Sequence, residues 1–133
     1  MVNTFQGYMK NEKSLSIGLM EEIHQLMALE MADDEDALEL YEDLLTDAIK
    51  YAGIRAEWAQ MTREEKMDRD PYRTAVHDSV IMDINVLARY LRKNGKEAKW
   101  RVMLGDEDTD RIYRKSIGDF ACYLAFVNAI CMR

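Results

Sequence analysis

A single proline, Pro71, is the strongest constraint on what this chain of 133 residues can fold into. Average usage of about 5% Pro and 7% Gly would supply about seven and nine; the chain has one and six. These residues turn a backbone sharply, Pro by its preset φ and Gly by its tolerance of positive φ. A many-stranded fold needs a turn signal roughly every 8–12 residues. Sandwiches and barrels are therefore excluded. With 48% hydrophobic residues the chain is too apolar for intrinsic disorder. Its length suits one domain with a core that needs no disulfide or metal. The expected fold class is all-α, a helical bundle of four main helices plus one or two short helices.

The positions of the breakers and caps set the elements. Residues 1–13 read as a flexible N-terminal arm and 14–133 as a single bundle domain. Ser14 or Ser16 caps a first helix striped by Met20, Ile23, Met27 and Met31. The run Asp33–Asp36 favours the N-terminus of a second helix that ends near Met61. Thr62–Glu65 is a capping-box pattern, read as opening one or two short turns. Asp70-Pro71 reads as the clearest boundary, with Asp70 as cap and Pro71 in the first helical position. A third helix then runs to Lys93, where Asn94-Gly95 stops it. A short helix ends at Gly105, and Asp106–Asp110 opens the last, which carries Ile112, Ile117, Phe120, Leu124 and Ile130. Gly18, Gly53 and Gly118 fall inside helices, where each costs about 1 kcal/mol against Ala. They are candidates for close helix contact.

The N-terminal stretch lacks the apolar core and small-residue cleavage site of a signal peptide. The most apolar run, Phe120–Met132, falls short of the roughly 20 residues of a spanning helix. Cys122 and Cys131 sit on opposite sides of one expected helix, so they do not bridge each other. These features point to a reducing cytoplasm and no membrane partner. Residues 1–70 carry 7 basic and 17 acidic side chains, and residues 71–133 carry 11 and 8. A chain of net charge −7 with so acidic a half disfavours general nucleic-acid affinity.

Four patterns look chemical. Asp106, Asp108 and Asp110 start like a calcium loop, but Arg111 replaces the required Gly and Ile117 the bidentate Glu. Glu39-x-x-Glu42 and Glu65-x-x-Asp68 resemble the magnesium-holding pairs of MazG-type nucleotide pyrophosphohydrolases. That resemblance covers these four positions alone, and the second pair is not expected to open a long helix. Glu21-x-x-His24 is half of a di-iron motif, but Thr74 stands where His77 needs its Glu. His77-Asp78 is similar to the HD signature of phosphohydrolases, yet His24 is the only other histidine. None assigns a catalytic residue, a metal ligand or a cofactor.

Helical-wheel positions are more informative. His24, Glu30, Arg55, Arg73, His77, Asp83 and Asp119 all fall on or beside apolar stripes. Buried charge is costly unless paired, so these residues form either interhelical ion pairs or a polar pocket around His77, Asp83 and Asp119. A second cluster, Arg89, Arg92, Lys93, Lys96, Lys99 and Arg101, interleaves with Tyr90 and Trp100. Such a stretch suits single strands, or the acidic block Asp33–Asp47.

The segments Tyr51–Lys66, Asp70–Asp78, Asn85–Leu91 and Ile117–Ala121 together resemble small uncharacterised helical proteins of Gram-positive bacteria. The resemblance spans about residues 37–133, and its motifs diagnose no activity. It implies a bacterial cytosolic protein and draws attention to Arg55, Trp58, Arg73, His77, Asn85, Arg89 and Asp119. The function expected from the sequence is a non-enzymatic protein-interaction or regulatory module, able to pair with itself. The alternatives are an enzyme or ligand-binding bundle with the polar pocket, and a nucleic-acid accessory protein using residues 89–101.

Overall fold

The computed structural model describes residues 15–105 and 114–131. The N-terminal arm, the acidic segment 106–110, Ile112, and the side chains of Ile130 and Cys131 lie outside the described residues. The fold is all-α. Among the described residues there are four long helices, α1 (Ile17–Met31), α2 (Glu35–Trp58), α3 (Arg63–Lys93) and α5 (Arg114–Cys131), and one short helix, α4 (Lys99–Met103).

Local chemistry explains most of the ends. Ser16 caps α1 by accepting the Leu19 N–H at 3.1 Å. Asp34 caps α2 by accepting the Ala37 N–H at 3.1 Å. It also accepts the Tyr90 hydroxyl at 2.9 Å, which ties the start of α2 to the end of α3. At the end of α3, Gly95 takes φ +89°, the Lys96 N–H reaches Leu91 O at 2.9 Å and the Gly95 N–H reaches Arg92 O at 3.2 Å. This paired closure satisfies the last carbonyls and depends on the positive φ that Gly adopts without strain.

The Asp70-Pro71 boundary is corrected. The third helix starts at Arg63 and runs 31 residues straight through Pro71. Thr62 accepts the Glu65 N–H at 3.1 Å while Glu65 accepts the Thr62 N–H at 2.8 Å. That reciprocal cap satisfies two orphan donors and starts the helix two turns earlier. Pro71 removes one internal hydrogen bond, whose acceptor belongs to Met67. Both residues are exposed, so water can serve the freed carbonyl.

The core follows the expected stripes on α1 and α5, while on α2 the buried face is Ala37, Leu44, Ala48, Tyr51 and Ile54, with Leu38 and Ile49 exposed. Met20, Ile23, Met27 and Met31 are all buried, so the methionine face of α1 is core packing. α2 lies most extensively against α3 and next against α5, while α1 rests mainly on α4. Of the three mid-helix glycines, only Gly118 makes a close contact. A Cβ there would stand 2.9 Å from the Tyr51 hydroxyl, so Gly118 is what lets the buried Tyr51 ring lie against α5. Gly18 and Gly53 face open space.

Candidate functional site

The seven inward polar candidates fall into several groups. Arg55 on α2 pairs with Asp119 on α5 at 2.9 Å and also reaches Cys122 Sγ at 3.6 Å. His77 is buried, its ring edge-on to Tyr51 at 5.3 Å. Tyr51 also lies 5.8 Å beneath the Arg55 guanidinium, so His77, Tyr51, Arg55 and Asp119 form a chain of contacts across α3, α2 and α5. His24 Nε2 is 3.0 Å from the Tyr41 hydroxyl, and burial lowers its pKa. Glu30 accepts the Ala98 N–H at 3.1 Å and the Trp100 indole N–H at 2.7 Å. Arg73 does not point inward. It pairs with Asp70 at 3.0 Å and lies 4.6 Å over the Trp58 ring, half-exposed.

Asp83 meets a partner that the wheel did not name. Its carboxyl faces Asp47, with Asp43 nearby on the same helix, and its Oδ2 is buried. Burial first, then the hydrogen bond and charge of Asp47, push its pKa from 3.8 up to about 7. A carboxyl raised in the folded state takes up a proton on folding, so this contribution is full below the unfolded value and is lost as pH rises through about 7. Urea unfolding at pH 5.5 and pH 8 should therefore find the protein weaker at pH 8 through this pair. Asp83→Asn should flatten that difference and stabilise the protein at pH 8 by about 1–2 kcal/mol, a figure discounted for solvent screening. An unchanged pH difference in the Asn variant would sever the link to Asp83.

The basic stretch is not a continuous patch. Arg89, Lys93, Lys96 and Lys99 are exposed, and Lys99 approaches Glu97 at 3.5 Å. Arg92 turns back to donate to Glu97 O and Ala98 O. Arg101 is corrected outright, being 0% exposed, with Nε on Asn85 Oδ1 at 2.6 Å and Nη1 on Gly105 O at 2.9 Å. Trp100 is equally buried, so it presents no face for a base to stack on. The wheel misses this because a five-residue helix has no stripe to read; only its neighbours decide what it buries.

Glu65 and Asp68 do stand in the first turns of a long helix, against the expectation. They are exposed, as are Glu39 and Glu42, and Glu65 is committed to its cap. Among the described residues no three His, Cys, Asp or Glu side chains gather as a metal would require.

A concave site among the described residues lies elsewhere, at the elbow where α2 gives way to α3. Trp58, Arg63, Lys66, Met67, Asp70 and Pro71 line a hollow of about 450 Å³. None of the seven inward candidates lines it. Five of these residues follow the spacing i, i+3, i+4, i+7, i+8 from Arg63, the signature of a single helix face. The face exists because Pro71 lies inside α3 and does not start it. Family models, curated proteins and solved structures offer no match to the chain. The geometry alone carries the functional argument.

A second feature is an apolar seam. Arg55–Asp119 and the hydrogen bond from Asn128 to the Tyr41 hydroxyl set α2 and α5 antiparallel. The row Tyr41, Leu45, Ile49 begins on that contact and drifts outward by about 40° per step. Leu45 is half-buried and Ile49 is 50% exposed. On α5, Phe126 lies one turn beyond Cys122 on the side that meets Arg55, and it is 62% exposed. By helix geometry, Leu45, Ile49 and Phe126 are therefore expected on the same outer edge of the α2–α5 interface.

Proposed function

We propose that this protein is an interaction module that self-associates through the α2–α5 seam, rather than a catalyst. The observation that carries the reading is the exposure of Ile49 and Phe126, which helix geometry places with Leu45 on one edge of two packed helices. Large exposed apolar groups scattered singly mean little, but grouped ones mark contact surfaces. A two-fold partner would lay the same seam on its own copy and cover both. The inward polar residues support the same reading, since Arg55, Glu30 and His24 are each engaged in contacts that hold helices in register. A bacterial cytoplasmic setting belongs to this proposal through the sequence resemblance. Among the described residues, no helix is long and apolar enough to cross a membrane.

Light scattering across the micromolar range tests it. The wild-type chain should run as a dimer. Ile49→Glu with Phe126→Glu should weaken pairing by at least about tenfold, ~1.4 kcal/mol, while the circular dichroism of the helices is unchanged. A wild-type monomer throughout that range would end the proposal.

A further inference from the structure

Among the described residues, the elbow hollow is lined by two cations without ion-pair partners. Its only lining carboxylate, Asp70, is already held by Arg73 at 3.0 Å. Arg63 and Lys66 line the same hollow, and among the described residues neither has an ion-pair partner. The acids of this segment, Glu64, Glu65 and Asp68, project roughly 100–200° away from Arg63 around the helix, and Glu65 is bound to the Thr62 N–H. Beside the two cations lies an apolar floor of Trp58, Met67 and Pro71. Arg73 over the Trp58 ring holds that ring in place.

We infer that the elbow is a docking site for a short acidic peptide segment of a partner protein. One apolar side chain of the peptide rests on Trp58, Met67 and Pro71, and flanking carboxylates pair with Arg63 and Lys66. Size and openness favour a peptide over an enclosed small molecule. The hollow's 450 Å³ falls within the roughly 300–1,000 Å³ of ligand sites, yet Met67 is 70% exposed and Arg63 and Pro71 are exposed too. A site without walls takes a segment laid across it. Two local cations attract a few carboxylates at short range, whereas a polyphosphate chain would run on into the acidic surface of a protein of net charge −7. This deepens the interaction reading but rests on residues separate from the seam.

The test uses the full chain and three blocked tetrapeptides: Asp-Phe-Asp-Glu, Asp-Gly-Asp-Glu and Lys-Phe-Lys-Lys. Trp100 is fully buried, so changes in tryptophan quenching report Trp58. Amide shifts in nuclear magnetic resonance spectra locate the contact. The first peptide should shift residues 58, 63, 66 and 67 and protect Trp58, and the other two should bind at least about tenfold more weakly. Arg63→Gln with Lys66→Gln should weaken the first peptide by at least about tenfold, and these changes, at one exposed and one half-buried position, leave the helical signal intact. Equal binding of the lysine peptide, unchanged binding to the double variant, tighter binding of octathymidylate at the same residues, or no shift at millimolar peptide would each overturn the inference. Light scattering on the double variant separates the two proposals, since a dimer that ignores the acidic peptide keeps the seam and loses the elbow.

Discussion

Truncating Trp100 to Ala should lower the free energy of unfolding by about 3–5 kcal/mol, the range for a large buried aromatic. The ring is 0% exposed, and its indole N–H donates to Glu30 at 2.7 Å. The other Glu30 oxygen accepts the Ala98 N–H, and Ala98 sits at φ +49°, a left-handed conformation unusual for a residue with a side chain. One carboxylate from α1 thus holds the backbone and the anchor side chain of α4 together. α4 has only five residues, far too few to be helical on its own. Its order depends on this clamp, so the truncation removes packing and leaves a carboxylate oxygen short of a donor. Trp100→Phe separates the two parts. It keeps most of the ring volume and loses the N–H, with an expected cost of about 1–2 kcal/mol. Urea unfolding measures both, and an Ala variant that loses less than about 1 kcal/mol would show that α4 is not a keystone.

Replacing Arg101 with Met should cost about 2–4 kcal/mol, although Met matches much of the stem volume. The guanidinium is buried and bridges Asn85 on α3 to the Gly105 carbonyl that ends α4. Met offers neither acceptor a donor, so the buried Gly105 carbonyl is stranded and the half-buried Asn85 amide loses its partner. A double-mutant cycle with Asn85→Ala isolates the interhelical bond, with an expected coupling of about 1.5–3 kcal/mol for a charged donor. Additive losses would mean that Arg101 acts through its packing alone. Charge reversal at exposed Lys96 or Lys99 should change stability by no more than about 0.5 kcal/mol. The contrast would separate two kinds of cation that are adjacent in sequence.

The long amphipathic helices were readable because their stripes repeat for several turns. Met20, Ile23, Met27 and Met31 announce the buried face of α1 without outside help. The capping box at Thr62 and the candidate cap Ser16 were readable too, since each acts on an N–H three residues away, whereas which acid of Asp33–Asp36 caps α2 was not. The inward placement of Glu30, Arg55 and Asp119 also followed from the wheel. Which acid meets which base did not, because Arg55 and Asp119 are 64 residues apart. Asp83 shows the same limit. A wheel marks it as inward, but only the packing of α2 on α3 brings Asp47 to it and raises its pKa.

Pro71 marks the division most clearly. By itself the sequence determined the class: with one proline and six glycines, only helices with few turns are open to the chain. It did not determine whether that proline starts a helix or rides within one, because both are allowed when the lost hydrogen bond faces water. The tertiary structure decided for the interior. The Thr62–Glu65 cap starts α3 before Pro71, and the long α2–α3 contact holds the helix together beyond it. That decision put Arg63, Lys66, Met67 and Pro71 on one face and created the elbow hollow. Local capping and periodicity act over a few residues and can be read along the chain. Burial, charge pairing and concavity depend on which distant residues become neighbours, so only packing settles them.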